Sequence, residues 1–134
     1  MGMLHRLRER LRGDREPELL TDSPGLVVVV EAFDPAEADS AVLARSERWR
    51  PDRPAVLRHH LVLPPDQVER AAALLAQDGY ELRPGDRGPD HLEAVRVQLL
   101  DALHRAQERS RMAGPAQRLG GDAPGWDALQ PEPA

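Results

Sequence analysis

Residues 55–84, AVLRHHLVLPPDQVERAAALLAQDGYELRP, decide the fold. In 55–63 the side chains of Leu57, His59, Leu61 and Leu63 share one face, and those of Val56, Arg58, His60 and Val62 share the other. That alternation predicts a strand. Pro64 and Pro65 end it, and Pro65 near a first helical position, followed by Asp66, suits a helix start. The helix is expected to run to about Asp78, with Val68, Ala71, Ala72, Leu74 and Leu75 as its apolar stripe and Gly79 as its stop. Tyr80 and Leu82 open a short strand that ends at Pro84-Gly85-Asp86.

Downstream, residues 91–119 fit two periods. Val95, Val97 and Leu99 alternate with Arg96 and Gln98 as in a strand, while Leu92, Val95, Leu99, Ala102, Leu103 and Ala106 also fit a helix. Strand 92–100 followed by helix 101–119 is preferred, because Asp101 can cap the helix between them. Gly114-Pro115 is expected to kink or break that helix, and Leu119 and Gly120 to close it. A short last strand is placed at 125–129. From residue 55 the order is thus strand, helix, strand, strand, helix, strand, the arrangement of ferredoxin-like domains. The expected class is α+β, with two helices on one face of an antiparallel sheet.

Upstream, LVVVV at 26–30 follows Pro24-Gly25 and continues into Glu31, Ala32 and Phe33. It reads as an extra N-terminal strand, buried on both faces or central in the sheet. A helix is placed over Ala36 to Trp49, and WRPDRP at 49–54 is a loop because Pro51 and Pro54 break any element. That loop holds Trp49 either as a contact surface or as a lid over the core edge. Residues 1–12, MGMLHRLRERLR, form a short basic amphipathic stretch. The organisation expected is a basic arm and linker over 1–24, one domain over 25–129 and a disordered tail over 130–134.

Composition narrows the chemistry. Of 134 residues, 40% are hydrophobic but only 3% aromatic, so the core leans on Leu and Val; 31% are charged, and no apolar run approaches the roughly 20 residues of a spanning helix. The basic start runs into charge rather than an apolar stretch, which argues against a signal peptide. No cysteine is present, which removes disulfides, thiol catalysis and thiolate metal sites. A cytoplasmic setting is expected. The net charge of −5 argues against nucleic acid as the main partner, though not against a local basic patch.

Catalytic patterns are missing. There is no G-x-S-x-G, no HExxH and no glycine loop ahead of a helix. His59 and His60 point to opposite faces of a strand and cannot chelate one ion. His91 and Glu93 can share a strand face, but three or four converging ligands are needed for zinc, so partly exposed histidines, no metal and no cofactor are expected. Arg105, Arg109, Arg111 and Arg118 lie on the last helix with His104, a basic stripe for RNA, for an acidic protein segment, or simply for solvent. Trp126 is either a partner anchor or a clamp holding the last strand to the helices.

Two groups of residues carry a family resemblance. His60-Leu61-Val62-Leu63-Pro64 leads into a helix ending in Asp78-Gly79-Tyr80-Glu81, and Ala116-Gln117-Arg118-Leu119-Gly120-Gly121 leads to Gly125-Trp126. Over residues 55–129 this resembles the RraB family, regulators of ribonuclease E activity. The chain has Ala123-Pro124 before Gly125 where the family usually has a Tyr-Asp pair. The resemblance implies a ferredoxin-like fold and a non-catalytic regulator that binds a protein partner, here a ribonuclease. Trp49, Arg105, Arg109, Arg111 and Trp126 are the candidate partner-binding residues. RNA association through the arginine face and a small ligand held between sheet and helices are the alternatives; the oligomeric state stays open.

Overall fold

A computed structural model describes residues 18–132. The expected basic arm over 1–12 lies outside them, as do residues 133–134 of the tail. The elements are β1 (Leu26–Ala32), α1 (Asp39–Arg45), β2 (Ala55–Val62), a single 3-10 turn (Pro65–Gln67) leading into α2 (Val68–Ala76), β3 (Glu81–Pro84), β4 (His91–Gln98), α3 (Ala102–Arg118) and β5 (Asp122–Pro131). The five strands form one sheet in the order β1-β5-β2-β4-β3, every pair antiparallel. Strands β5-β2-β4-β3 with α2 and α3 are the ferredoxin-like arrangement, and β1 extends it at the β5 edge.

Strand and helix separate at 99–101, as the capping argument requires. Asp101 sits in extended conformation and its carboxylate accepts the His104 N–H at 2.8 Å. Both domain helices end alike. Gly79 (φ +81°) donates to Ala76 O while Tyr80 N–H donates to Leu75 O; Gly120 (φ +82°) donates to Gln117 O while Gly121 N–H donates to Ala116 O. This is the left-handed glycine cap that satisfies terminal carbonyls. Gly121 also has no room for a Cβ, which would overlap the Val62 carbonyl. Packing alone therefore accounts for the Gly120-Gly121 pair.

Four expectations need correction. The valine run is not central: β1 is an edge strand, and β2, which carries Arg58, His59 and His60, is the middle one. A β-bulge between Val28 and Val30 turns both Val29 and Val30 into the core, so a run of valines need not mean two covered faces. The helix expected over 36–49 is only Asp39–Arg45; it stops where Ser46 Oγ bonds back to Val42 O at 2.6 Å. Helix α3 continues through Gly114-Pro115, so of the kink or break expected there the break does not occur. The last strand is longer than expected and takes in Gln130 and Pro131. No helix among the described residues is long and apolar enough to cross a membrane.

Cross-strand register assigns the faces. Leu57, His59 and Leu61 on β2 align with Arg96, Ala94 and Leu92 on β4, and Leu57 and His59 with Ala128 and Trp126 on β5. These face the helices, and the apolar ones build the core with Val30, Ala32, Val42, Leu63, Leu75, Met112 and Ala116. Arg58, His60, Glu93, His91 and Asp127 face the other way.

Candidate functional site

The helix side holds a cleft. Helices α2 and α3 lie over the sheet with a gap of about 200 Å³ between them. Its apolar walls are Leu61, Leu63, Leu75 and Met112, and Leu74 stands exposed at its mouth. Tyr80 lines it too, with Arg96 stacked over its ring at 4.3 Å. The Tyr80 hydroxyl is buried and has no hydrogen-bond partner, and burial raises its pKa. Arg111 and Arg118 stand exposed on the α3 wall.

Behind the cleft, α3 turns charged residues inward. Its buried positions are Arg105, Glu108, Met112 and Ala116, spaced three and four apart. Arg105 is 0% exposed. Its guanidinium is ion-paired with Glu108, lies 5.4 Å from the Trp126 ring and has Nη1 3.5 Å from His59 Nε2. Arg96 pairs with the other oxygen of Glu108. Desolvation lowers the Arg105 pKa to about 10. His59 is pushed down to about 3, first by burial and then by the charges of Arg105 and Arg96. A second carboxylate, Asp39 on α1, accepts from Trp126 Nε1 at 3.2 Å and from Arg109 at 2.9 Å, which joins α1, α3 and β5.

These positions redistribute the candidate residues. Trp126 is 0% exposed and fills the core, the clamping role of the two weighed for it. Arg105 is interior, and Arg109 is half-buried and tied to Asp39. Of the expected basic stripe, Arg111 and Arg118 remain exposed, and both border the cleft. Trp49 lies apart, packed half-buried against the core with its Nε1 unpartnered. The structure therefore brings together Arg105, Arg109 and Trp126 as an internal network, and leaves Trp49 outside it. Sequence reasoning missed Tyr80, Arg96 and Glu108. The available signal was Met112 and Ala116 at i, i+4, which extends back to Glu108 and Arg105 as one helix face.

The opposite face of the sheet holds a second polar cluster. Arg58 grips Asp127 with two hydrogen bonds of 2.8 and 2.6 Å. His60 Nε2 lies 3.1 Å from Asp127 Oδ1, and His60 Nδ1 lies 2.7 Å from His91 Nε2. The two imidazoles are 4.9 Å apart between centroids and tilted by only 10°, so they meet edge to edge in nearly one plane. His91 Nδ1 accepts the Arg87 N–H at 2.9 Å. Because His91 Nδ1 already accepts, His91 donates from Nε2 to His60 Nδ1, while His60 Nε2 lies beside Asp127 without hydrogen-bond geometry. Burial acts to raise the Asp127 pKa, but the neighbouring His60 and the bonds from Arg58 outweigh it and hold the carboxyl below its usual range. Desolvation, then the neighbouring His60, lowers the pKa of His91.

The expectation of partly exposed histidines is thereby overturned for three of the five. His59, His60 and His91 are all buried. Their placement follows from register: His60 pairs directly with Glu93, and His91 is two residues before it on the same face. His59 and His60 do point to opposite faces, as strand geometry requires.

No family model matches the chain, and neither does any curated protein or solved structure.

Proposed function

We propose that the protein is a non-catalytic binding module that takes a small amphipathic anion into the cleft between α2 and α3. The observation that carries this reading is an apolar cleft of about 200 Å³ with two exposed arginines on one wall and an unpartnered, buried tyrosine hydroxyl beside it. An apolar cavity of about 150 Å³ suffices for benzene. A short alkyl chain or a single aromatic ring therefore fits, with its carboxylate or phosphate facing Arg111 and Arg118. Among the described residues no Ser, Cys or His lines the cleft, which supports binding rather than nucleophilic chemistry. Calorimetric titration with octanoate tests this. One saturable site is expected, weakened by Arg111→Ala and Arg118→Ala and abolished when Met112→Trp fills the space. Affinity unchanged in all three variants would contradict the reading.

A protein partner is the second reading, and the RraB resemblance makes a ribonuclease E-type enzyme the partner to try. Leu99 (57% exposed) and Leu103 (66% exposed), four residues apart at the β4–α3 turn, favour a protein surface. Isolated apolar side chains on a surface are common, so this pair carries less weight than the cleft. Binding to the ribonuclease that is lost in Leu99→Ser and Leu103→Ser would support it; no binding would remove it.

A further inference from the structure

We propose that His60, His91 and Glu93, on the face of the sheet away from the helices, form a binding site for a divalent transition-metal ion, with zinc as the ion of best fit. This site is separate from the cleft and stands or falls independently of it.

The donor atoms of these three residues lie within 4.8 Å of one another. Two imidazole nitrogens and a carboxylate oxygen are a donor set that zinc favours, and three protein ligands leave a position for water. Ligands alone would be a thin argument, but the surroundings are built around them. The ring nitrogen of His60 that faces away from the site lies against Asp127, and Asp127 is fixed in turn by the two bonds from Arg58. A carboxylate behind a histidine in this way orients ligating imidazoles. Gly85 has no space for a Cβ because the His91 ring occupies it. At Gly125 a Cβ would press on Phe33, whose ring packs edge-on against His60 at 5.0 Å.

Glu93 is held more loosely than Asp127. Its oxygens lie 3.3 Å from Arg83 Nε and 3.6 Å from Arg58 Nη1, against 2.6–2.8 Å for the Arg58–Asp127 contacts. Arg58 is largely neutralised by Asp127, and Arg83 is only half-buried and can swing to solvent. These cations lower the affinity of the site without closing it.

The proton now shared between the rings marks where the ion goes. His91 carries its proton on Nε2, because Nδ1 accepts the Arg87 amide. Ligation through Nε2 moves that proton to Nδ1, and the Arg87 N–H must then turn away. The turn holding Arg87 contains Gly88 at φ +130°, a conformation open to glycine. Metal binding is therefore coupled to a rearrangement of the β3–β4 turn.

The test uses the full chain, dialysed against chelator and titrated with Zn²⁺, with Co²⁺ as a coloured substitute. One ion per chain is expected. His60→Gln and His91→Gln should each weaken binding at least 10-fold, and Asp127→Asn by roughly 10- to 100-fold, the usual cost of losing an outer partner. His5→Ala and His104→Ala should leave it unchanged. On the unmutated protein, Co²⁺ should give the visible bands of a low-coordinate site, and Zn²⁺ should shift the Arg87 amide resonance. Binding weaker than about 1 mM, affinity insensitive to His60→Gln and His91→Gln, or an unmoved Arg87 amide would overturn the proposal.

Discussion

The middle strand gives one histidine to each face of the sheet, and the two faces use it differently. His59, under α3, meets the Arg105 guanidinium and the Tyr80 ring, and its closest carboxylate oxygen, on Glu108, is 3.9 Å away. It is held neutral and does no more than fill space and accept a weak contact. His60, one residue on, sits between His91 and an anchored Asp127, with Nδ1 bonded to His91 and Nε2 buried 3.1 Å from the carboxylate. The side chain is the same and both are buried, yet one is held neutral among arginines and the other is bonded to a second histidine beside an anchored carboxylate. The helix face gains stability from buried area and matched charges. The opposite face buries a cluster of polar groups beside Val56 and Val95.

Substitutions can break this contrast. The largest effect is expected at Trp126, the biggest side chain of the helix face: Trp126→Ala should cost about 3–5 kcal/mol in urea unfolding. A smaller loss would mean that the core closes over the gap. Next come matched carboxylate deletions on the two faces. Glu108→Ala leaves the fully buried Arg105 without its counter-charge and should cost about 3–5 kcal/mol. Glu93→Ala leaves arginines that reach water and should cost about 1–3 kcal/mol. Equal losses would erase the distinction between the faces.

Acid sharpens it further. The folded protein holds His59 at a pKa of about 3, below its unfolded value of about 6.5. The unfolded chain therefore binds the proton first. Stability contributed by neutral His59 is complete above pH 6.5 and is lost as pH falls toward 3, at about 1.4 kcal/mol per pH unit. His59→Gln should flatten that part of the profile in pH-dependent urea melts; an unchanged slope would place the acid sensitivity elsewhere. The smallest effect belongs to neither face. Asp101→Ala removes the α3 cap and should cost about 1 kcal/mol, leaving His59 and His60 environments unaltered by NMR.

The fold was largely legible in the sequence for a local reason. Alternation in β2, the Pro64-Pro65 start of the turn into α2, the Asp101 cap and the Gly79 and Gly120 stops are each written within a few residues. What depended on partners across the sheet was not. Nothing in LVVVV says which edge it joins, and the bulge that buries Val29 beside Val30 appears only once β5 is in place. Arg105 looked like surface because arginine usually is. Its burial rests on Glu108 from its own helix and on His59 and Trp126 arriving from β2 and β5. The cluster on the opposite face was half-visible: His91 and Glu93 share a strand face by counting, but only the β2–β4 register adds His60.

The central claim is that ligand enters on the helix face, between α2 and α3. Methyl-resolved NMR of the full chain, titrated with octanoate, tests it most directly, because both faces carry reporters. Saturable shifts at Leu61, Leu63, Leu75 and Met112, with Val56 and Val95 of the opposite face unmoved, are the predicted result. Shifts confined to the opposite face, or none at millimolar ligand, would contradict it.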